Sequence, residues 1–242
     1  MSDGLLLAWC DHAAALYACR RWHYSGTLPC GKQVRVGVWE HGRFIGAVVF
    51  ARGANRCIGG PFGLSQSECC ELVRVALTEH DAPVSRIVAI AVRMLRRQSP
   101  GLRAIVSYAD PDHGHHGGIY QAMGWVYTGT LKPRAPGMSV SGRRMHKRTV
   151  SLRYGTCSVS VLASRGVSAF YLQKSVKYRY ILPLDKTMAD HLRIMSQDYP
   201  KRAGGADSGT PVNQAGGGGA IPTPALREDH HGRKRQRQRQ RP

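Results

Sequence analysis

Residues 69–98 read CCELVRVALTEHDAPVSRIVAIAVRMLRRQ, and the change of pattern in the middle of this stretch decides the fold. Cys69 to Leu77 is an apolar, β-branched run without glycine or proline, which reads as a strand. Glu79 to Pro83 interrupts it with a short polar loop, and Val84 to Gln98 continues as a strongly apolar helix. A strand feeding a helix through a short loop leaves unpaired N–H groups and the positive end of a dipole at the helix start. Val84, Ser85 and Arg86 are therefore candidates for holding a phosphate or carboxylate. Arg86, Arg93 and Arg97 share one helical face, the ordinary pattern of a solvated basic stripe.

Working outward, Val34, Val36 and Val38 alternate up to Glu40, His41-Gly42 makes a turn, and Phe44 to Phe50 returns as a second strand. Before this hairpin, Ala8 to Arg21 has helical spacing and stops at Trp22-His23-Tyr24-Ser25-Gly26. On the other side, Leu102 to Ser107 reads as a strand, Ile119 to Met123 as a short helix ending at Gly124, and Trp125 to Leu131 as a strand. Beyond Arg134 the pattern weakens. Strands are expected near Thr149 to Tyr154 and Tyr178 to Leu182, and a helix from about Lys186 to Gln197. The order predicts an α+β protein with a mixed sheet covered by helices.

Thirty-five Lys and Arg against 15 Asp and Glu leave a formal charge of +20, a field that attracts polyanions and repels basic protein tails. Residues 203–242 turn to Gly, Ala, Pro and Ser and end in an Arg-Gln repeat, so a disordered, basic tail is expected after a domain spanning 1–202. That tail holds seven basic and three acidic side chains, which leaves residues 1–202 with 28 Lys and Arg against 12 Asp and Glu. Its function class is therefore nucleic-acid-directed even without the tail. Seven cysteines lack any C-x-x-C pair and read as core thiols of a reducing cytosol. No stretch reaches the ~20 apolar residues of a membrane span, and no secretion signal is expected.

The second informative stretch runs Ser107-Tyr108-Ala109-Asp110-Pro111-Asp112-His113-Gly114-His115-His116-Gly117-Gly118-Ile119-Tyr120-Gln121-Ala122-Met123-Gly124-Trp125. A strand, a polar loop, a short helix carrying a tyrosine, then Gly-aromatic and another strand resembles the closing half of the GNAT acyltransferase fold. More narrowly, Trp22-His23-Tyr24-Ser25, Leu72 to Leu77, Pro83 to Arg86, Gln98 to Leu102, Ser107 to Pro111 and His115 to Ala122 occur in the order found in the phage Mom family. Tyr178-Arg179-Tyr180 to Leu184-Asp185 and Tyr199 to Arg202 add to that resemblance.

The resemblance implies a GNAT-like, mostly antiparallel sheet. It also implies a phage-encoded enzyme, acting in the bacterial cytoplasm, that carbamoylmethylates adenine N6 in double-stranded DNA and protects it from host restriction. Matched to the family, His23, Tyr24, Arg74, Asp110 and Tyr120 are the catalytic candidates, with Ser85 beside the donor. Adenine N6 is a weak nucleophile, so the reaction needs a proton acceptor, here Asp110, and donors for the developing charge, here Arg74 or Ser85. Tyr120 is expected to protonate the leaving group.

A base inside a duplex must flip out, and Tyr24, Trp22 or Tyr108 is expected to stack on it. Arg143, Arg144, His146, Lys147, Arg148, Lys174, Lys177 and Arg179 are expected on phosphates. The donor is read as an acyl-CoA or a glycyl donor such as glycyl-tRNA. The loop before Val84 lacks the Q/R-x-x-G-x-G/A phosphate cradle of the wider fold, which speaks against ordinary acetyl-CoA. His113, His115 and His116 with Asp110 and Asp112 include iron-ligating residue types, but neighbouring histidines on a glycine-rich loop seldom face one ion, and no metal is assigned. Two other function classes stay open: a GNAT N-acetyltransferase acting on a small amine or protein, and a non-catalytic DNA-binding protein. The oligomeric state is also open, a dimer included.

Overall fold

The computed structural model describes residues 4–29, 31–53, 57–132, 137–145, 147–173 and 176–201. The basic tail read at 203–242 lies outside the described residues, as do Cys30, His146 and Lys174 and the side chain of Arg148.

The chain forms β1 (Leu5–Trp9), α1 (His12–Trp22), β2 (Gln33–Glu40), β3 (Arg43–Ala51), β4 (Cys69–Leu77), α2 (Val84–Gln98), β5 (Ala104–Ala109) and α3 (Gly118–Ala122). These are followed by β6 (Val126–Thr130), β7 (Met138–Val140), β8 (Arg143–Met145), α4 (Lys147–Tyr154), α5 (Val159–Ser164), β9 (Ala169–Tyr171), β10 (Tyr178–Pro183) and α6 (Lys186–Ile194). Seven strands make one sheet in the order β1-β2-β3-β4-β5-β10-β6, and β8-β7-β9 make a second. Every pairing in the large sheet is antiparallel except that of β4 with β5. The α+β architecture expected from the sequence, a mixed, mostly antiparallel sheet flanked by helices, is therefore the one formed.

Helices cover both faces. On one, α2 inserts Ile87, Val88, Val92 and Leu95, all buried, against Val36, Val48, Phe50, Leu72 and Ile105. Each such side chain contributes about 1.5–3 kcal/mol of burial. On the other face, α1 packs Ala14, Ala15, Ala18 and Cys19 over β2, β3 and β4, with Asp11 capping its first turn. There α6 packs Met188 and Leu192 over Ala104, Val106 and Ile181.

Two features of β4 position the site. The first is a bulge. Val49 pairs with Arg74 and Phe50 with Leu72, so Val73 is an extra residue. Leu72 and Val75 consequently both pack under α2, while Val73 and Ala76 pack under α1. Alternation from these neighbours puts Glu71 and Arg74 on the α1 side together, three residues apart, which a regular strand forbids. The second is a splay. The parallel pairing of β4 and β5 covers only Cys69↔Ala104, Cys70↔Ile105 and Glu71↔Val106. Past that point a side chain continues the contact, as Ser107 Oγ donates to the Leu72 carbonyl at 2.8 Å.

The segment read as a strand at 149–154 is the helix α4. Val150 is its buried β-branched residue and packs with Met138, Val140 and Leu162, whereas Leu152 is exposed, so one side of a turn is buried and not alternate residues. The first strand also takes Ala8 and Trp9 from the expected first helix, because Ala8 and Trp9 pair with Gly37 and Val36. Of the cysteines read as core thiols, Cys19, Cys69 and Cys70 are buried but Cys57 is exposed.

Candidate functional site

Where β4 and β5 part, charged side chains collect on the α1/α6 face of the sheet. Glu71 and Arg74 come from β4, Asp110 from the end of β5, and Lys177 from the start of β10. Asp110 is buried and receives Lys177 Nζ at 2.9 Å, with His113 Nδ1 at 3.3 Å. Burial works to raise its carboxyl, but the Lys177 bond and charge, His113 and the Asp112 amide outweigh it and hold the group below its ordinary value. That stabilisation is present above the ordinary carboxylate pKa and is lost as pH falls through the depressed one. A carboxylate in this state is a poor proton acceptor, which revises the role expected of Asp110: it anchors Lys177.

Glu71 has the complementary property. Burial pushes its carboxyl up to about 7 against the downward pull of Arg74 and Lys177. A carboxyl that titrates near neutrality beside two cations is suited to accept a proton. The sequence reading passed over it as part of a strand. The available signal was that Glu71 is the only acid in an otherwise apolar strand that also carries Arg74.

Tyr120 lies on the opposite face of the sheet, behind the splay. Ser107 Oγ and Tyr120 Oη are 2.7 Å apart. Ser107 has one proton, and the Leu72 carbonyl can only accept it, so Tyr120 is the donor in this pair. Burial raises the Tyr120 hydroxyl to about 12, and the charges of Tyr24 and Glu71 also reach it. It therefore stays protonated at neutral pH and keeps a proton to donate. α3 starts at Gly117, whose φ is +89° and where a Cβ would lie 2.3 Å from the Tyr180 ring, so glycine is required to seat this helix.

Above these groups, His23, Tyr24 and His113 form a three-ring stack. Tyr24 lies 4.4 Å from His23 and 4.3 Å from His113, with interplanar angles of 28° and 29°. His23 Nδ1 accepts from the Ser25 amide at 3.1 Å, which leaves the ring proton of the neutral form on Nε2. Burial first, then Arg74, His115 and His113, lowers His23 to about 4, so it is neutral at physiological pH. Arg74 ties the 23–27 segment to β4 through Nε on the Thr27 carbonyl at 3.0 Å. Of the five expected catalytic residues, His23, Tyr24 and Asp110 are thus linked through His113 and Arg74 is tied to the same 23–27 segment, while Tyr120 sits on the other face of the sheet against Ser107.

Several expectations need correction. Tyr24 stacks with His23 and His113 yet is 52% exposed, whereas Trp22 packs against Tyr17 and Phe44. Tyr108 is half-buried and feels the charges of Glu71 and Arg179. Lys177 points inward to Asp110. Arg179 bonds Thr128 Oγ1 at 2.8 Å and lies over the Phe62 ring at 5.0 Å, so both residues already have partners within the protein while staying partly exposed. Arg143, Arg144 and Lys147 sit on the small sheet and the helix beside it. Among the described residues no group of three His, Cys, Asp or Glu could hold a metal, and the His116 carbonyl is engaged by Tyr180 Oη at 2.6 Å.

The start of α2 was expected to hold the donor's phosphate. The β4–α2–β5 crossover surrounds the parallel pair, which is where a diphosphate normally meets a helix N-terminus. Here the buried Glu40 carboxylate takes the loop amides instead, Asp81 N at 2.8 Å and Ala82 N at 2.9 Å. Burial works to raise Glu40, but those amides, with His41 and His80, hold it below its ordinary value. Pro83 has no N–H, and Val84 packs into the core. An internal anion therefore occupies two amides of the loop just before α2, which works against a second anion, such as the diphosphate of CoA, at that place. Titration of the full chain with CoA is expected to give no saturable binding below about 1 mM, and micromolar binding would refute this reading.

Comparison with known proteins follows from this geometry. No curated protein matches the chain. Solved structures are similar at low identity. One is a probable acetyltransferase of the GNAT family from Chromobacterium violaceum, 10% identical over 76% of this chain and 84% of that one, with a TM-score of 0.42. Another is yncA of Salmonella typhimurium with its cofactor acetyl-CoA, 12% identical over 76% and 96%, with a TM-score of 0.45. A third is spermidine N-acetyltransferase of Vibrio cholerae in complex with CoA and spermine, 10% identical over 79% and 99%, with a TM-score of 0.41. The model of the Mom protein family matches residues 4–201, a span that takes in the splayed strands, the three-ring stack and every group of the site, and the chain belongs to that family.

Proposed function

We propose that the protein is a transferase that modifies adenine N6 in double-stranded DNA, leaving a carbamoylmethyl group that shields the DNA from restriction. The observation that carries this reading is the pairing of Glu71, titrating near 7 beside Arg74 and Lys177, with the protonated Tyr120 across the splay of β4 and β5. Proton acceptor and proton donor on two sides of one opening are what acyl transfer to a weak nitrogen nucleophile needs.

Carbamoylmethyl and glycyl groups are isomers, so an activated glycyl donor suffices without a redox step. N6 attacks the glycyl carbonyl, its proton passes to Glu71, and Arg74 and the His23 Nε2 proton stabilise the developing oxyanion. The bond from the carbonyl carbon to the leaving oxygen or sulfur breaks, and Tyr120 protonates the leaving group. The new amine then attacks ring carbon C6, the C6–N6 bond breaks, and the former N6 becomes the carboxamide nitrogen. Asp110 holds Lys177 near Glu71 throughout.

The test is mass spectrometry of nucleosides from cells expressing the full chain. A deoxyadenosine carrying the mass of one glycyl residue is expected, labelled when the cells receive isotopic glycine. Tyr120→Phe is expected to lower its yield about 10²- to 10⁴-fold with DNA binding unchanged. Unmodified DNA from soluble, folded protein rejects the proposal.

A further inference from the structure

We propose that the small sheet is a nucleic-acid platform on which Phe170 stacks against an unpaired base while Arg144, in the same row, holds a neighbouring phosphate. This rests on the reading of DNA as substrate and adds a surface to it. The first observation is charge. No Asp or Glu occurs between Asp112 and Asp185, a stretch that contains eleven Lys and Arg. Lys177 and Arg179 are engaged by Asp110 and Thr128, but Arg143, Arg144, Arg153 and Arg165 are exposed, with no acid of the same stretch to neutralise them.

The second observation is register. Across β8, β7 and β9, Met145, Met138 and Tyr171 form one row, and Arg143, Val140 and Ala169 another. Met138 and Val140 are buried against Val150 and Leu162, so these rows belong to the face turned toward α4 and α5. The intervening row of Arg144, Ser139 and Phe170 lies on the opposite face. A guanidinium and a phenyl ring then stand two strand spacings apart, about 10 Å, or about three nucleotide rises of one strand.

The third observation separates the two neighbouring aromatics. Tyr171 is committed within the protein: its hydroxyl donates to the Cys157 carbonyl at 3.0 Å and Lys147 Nζ lies 4.6 Å from its ring centre. Phe170 is 59% exposed and has no ring partner among the described residues. A single exposed phenyl needs no explanation on an ordinary surface. On a surface whose fixed charges are all positive, the complementary partner is a polyanion that also has apolar rings to offer, and nucleic acid meets both conditions. Base flipping supplies the unstacked base beside the modified adenine.

Fluorescence anisotropy of the full chain decides the matter, using one intact duplex and one with an unpaired adenine over a series of salt concentrations. Phe170→Ala is expected to weaken binding to the unpaired-adenine duplex about ten-fold with the salt slope unchanged, and Phe170→Trp to restore it. Arg144→Ala is expected to weaken both duplexes and reduce the salt slope by about one. Melting curves matching the parent protein certify that the variants are folded. Unchanged affinity of Phe170→Ala for both duplexes overturns the proposal, as does a change in its elution volume with DNA affinity intact, which would make Phe170 a contact for a second copy. Loss of affinity in a protein that makes no modified adenine keeps the platform and rejects the transferase reading instead.

Discussion

Glu71→Gln is expected to remove the modified nucleoside, with a loss of at least about 10²-fold, while binding of DNA persists. Glutamine keeps the size of the side chain and can still accept hydrogen bonds, so the local packing changes little, but it cannot take the proton released from N6. The pH profile gives a second readout. The parent protein acts through the ionised carboxylate, which forms as pH rises through about 7, so its rate should climb across neutrality and level off above it. The residual activity of the variant should lose that rising limb. Stability moves the other way. The folded protein keeps a proton on Glu71 that the unfolded chain has released, so this contribution is full below the ordinary carboxylate pKa and is lost as pH rises through about 7. Full activity in Glu71→Gln would return the proton acceptor's role to another residue.

Gly46→Ala is expected to unfold the protein. Gly46 has φ +147°, and a Cβ there would stand 2.0 Å from the Ala76 carbonyl oxygen and 2.9 Å from Leu77 Cα. Both obstacles are backbone of β4, so no rotamer change relieves them. The strand that carries Glu71 and Arg74 must move away from β3 or the residue must go without its native conformation. A cost above about 4 kcal/mol follows from such a clash. For a chain of this size that lowers the melting temperature by about 10 °C or more, or removes soluble protein altogether. Gly42→Ala is the control: its φ of +76° is strained, but nothing lies within 4 Å, and only about 1–2 kcal/mol is expected. Equal melting of the two variants would mean that β3 and β4 do not approach as closely as described.

Much of the fold was readable along the chain. The bounds of β4 and α2 came directly from the switch between a mostly apolar run without glycine or proline and a helical one, since each pattern is set by neighbours in sequence. The hairpin of β2 and β3 was equally plain, with His41-Gly42 marking the turn. The residues 138–171 were not, because their strands have three residues each and bury only one side of a small core. Too few positions repeat there for a period to emerge, which is how α4 was mistaken for a strand.

For the site, residue identities and their order along the chain were enough to name His23, Tyr24, Arg74, Asp110 and Tyr120, and charge was enough to name a polyanion as partner. Their roles were decided in three dimensions. The pKa of a carboxyl depends on what is packed around it, so only the fold could pair Asp110 with Lys177 and leave Glu71 buried near neutrality. The bulge at Val73 put Glu71 and Arg74 on one face, against the alternation of a strand. Glu40, 41 residues before Asp81, took up the loop amides ahead of α2. Local pattern specifies elements because its causes are local. Proton affinities, covered ring faces and occupied amides come from contacts between distant segments, and those exist only once the chain has folded.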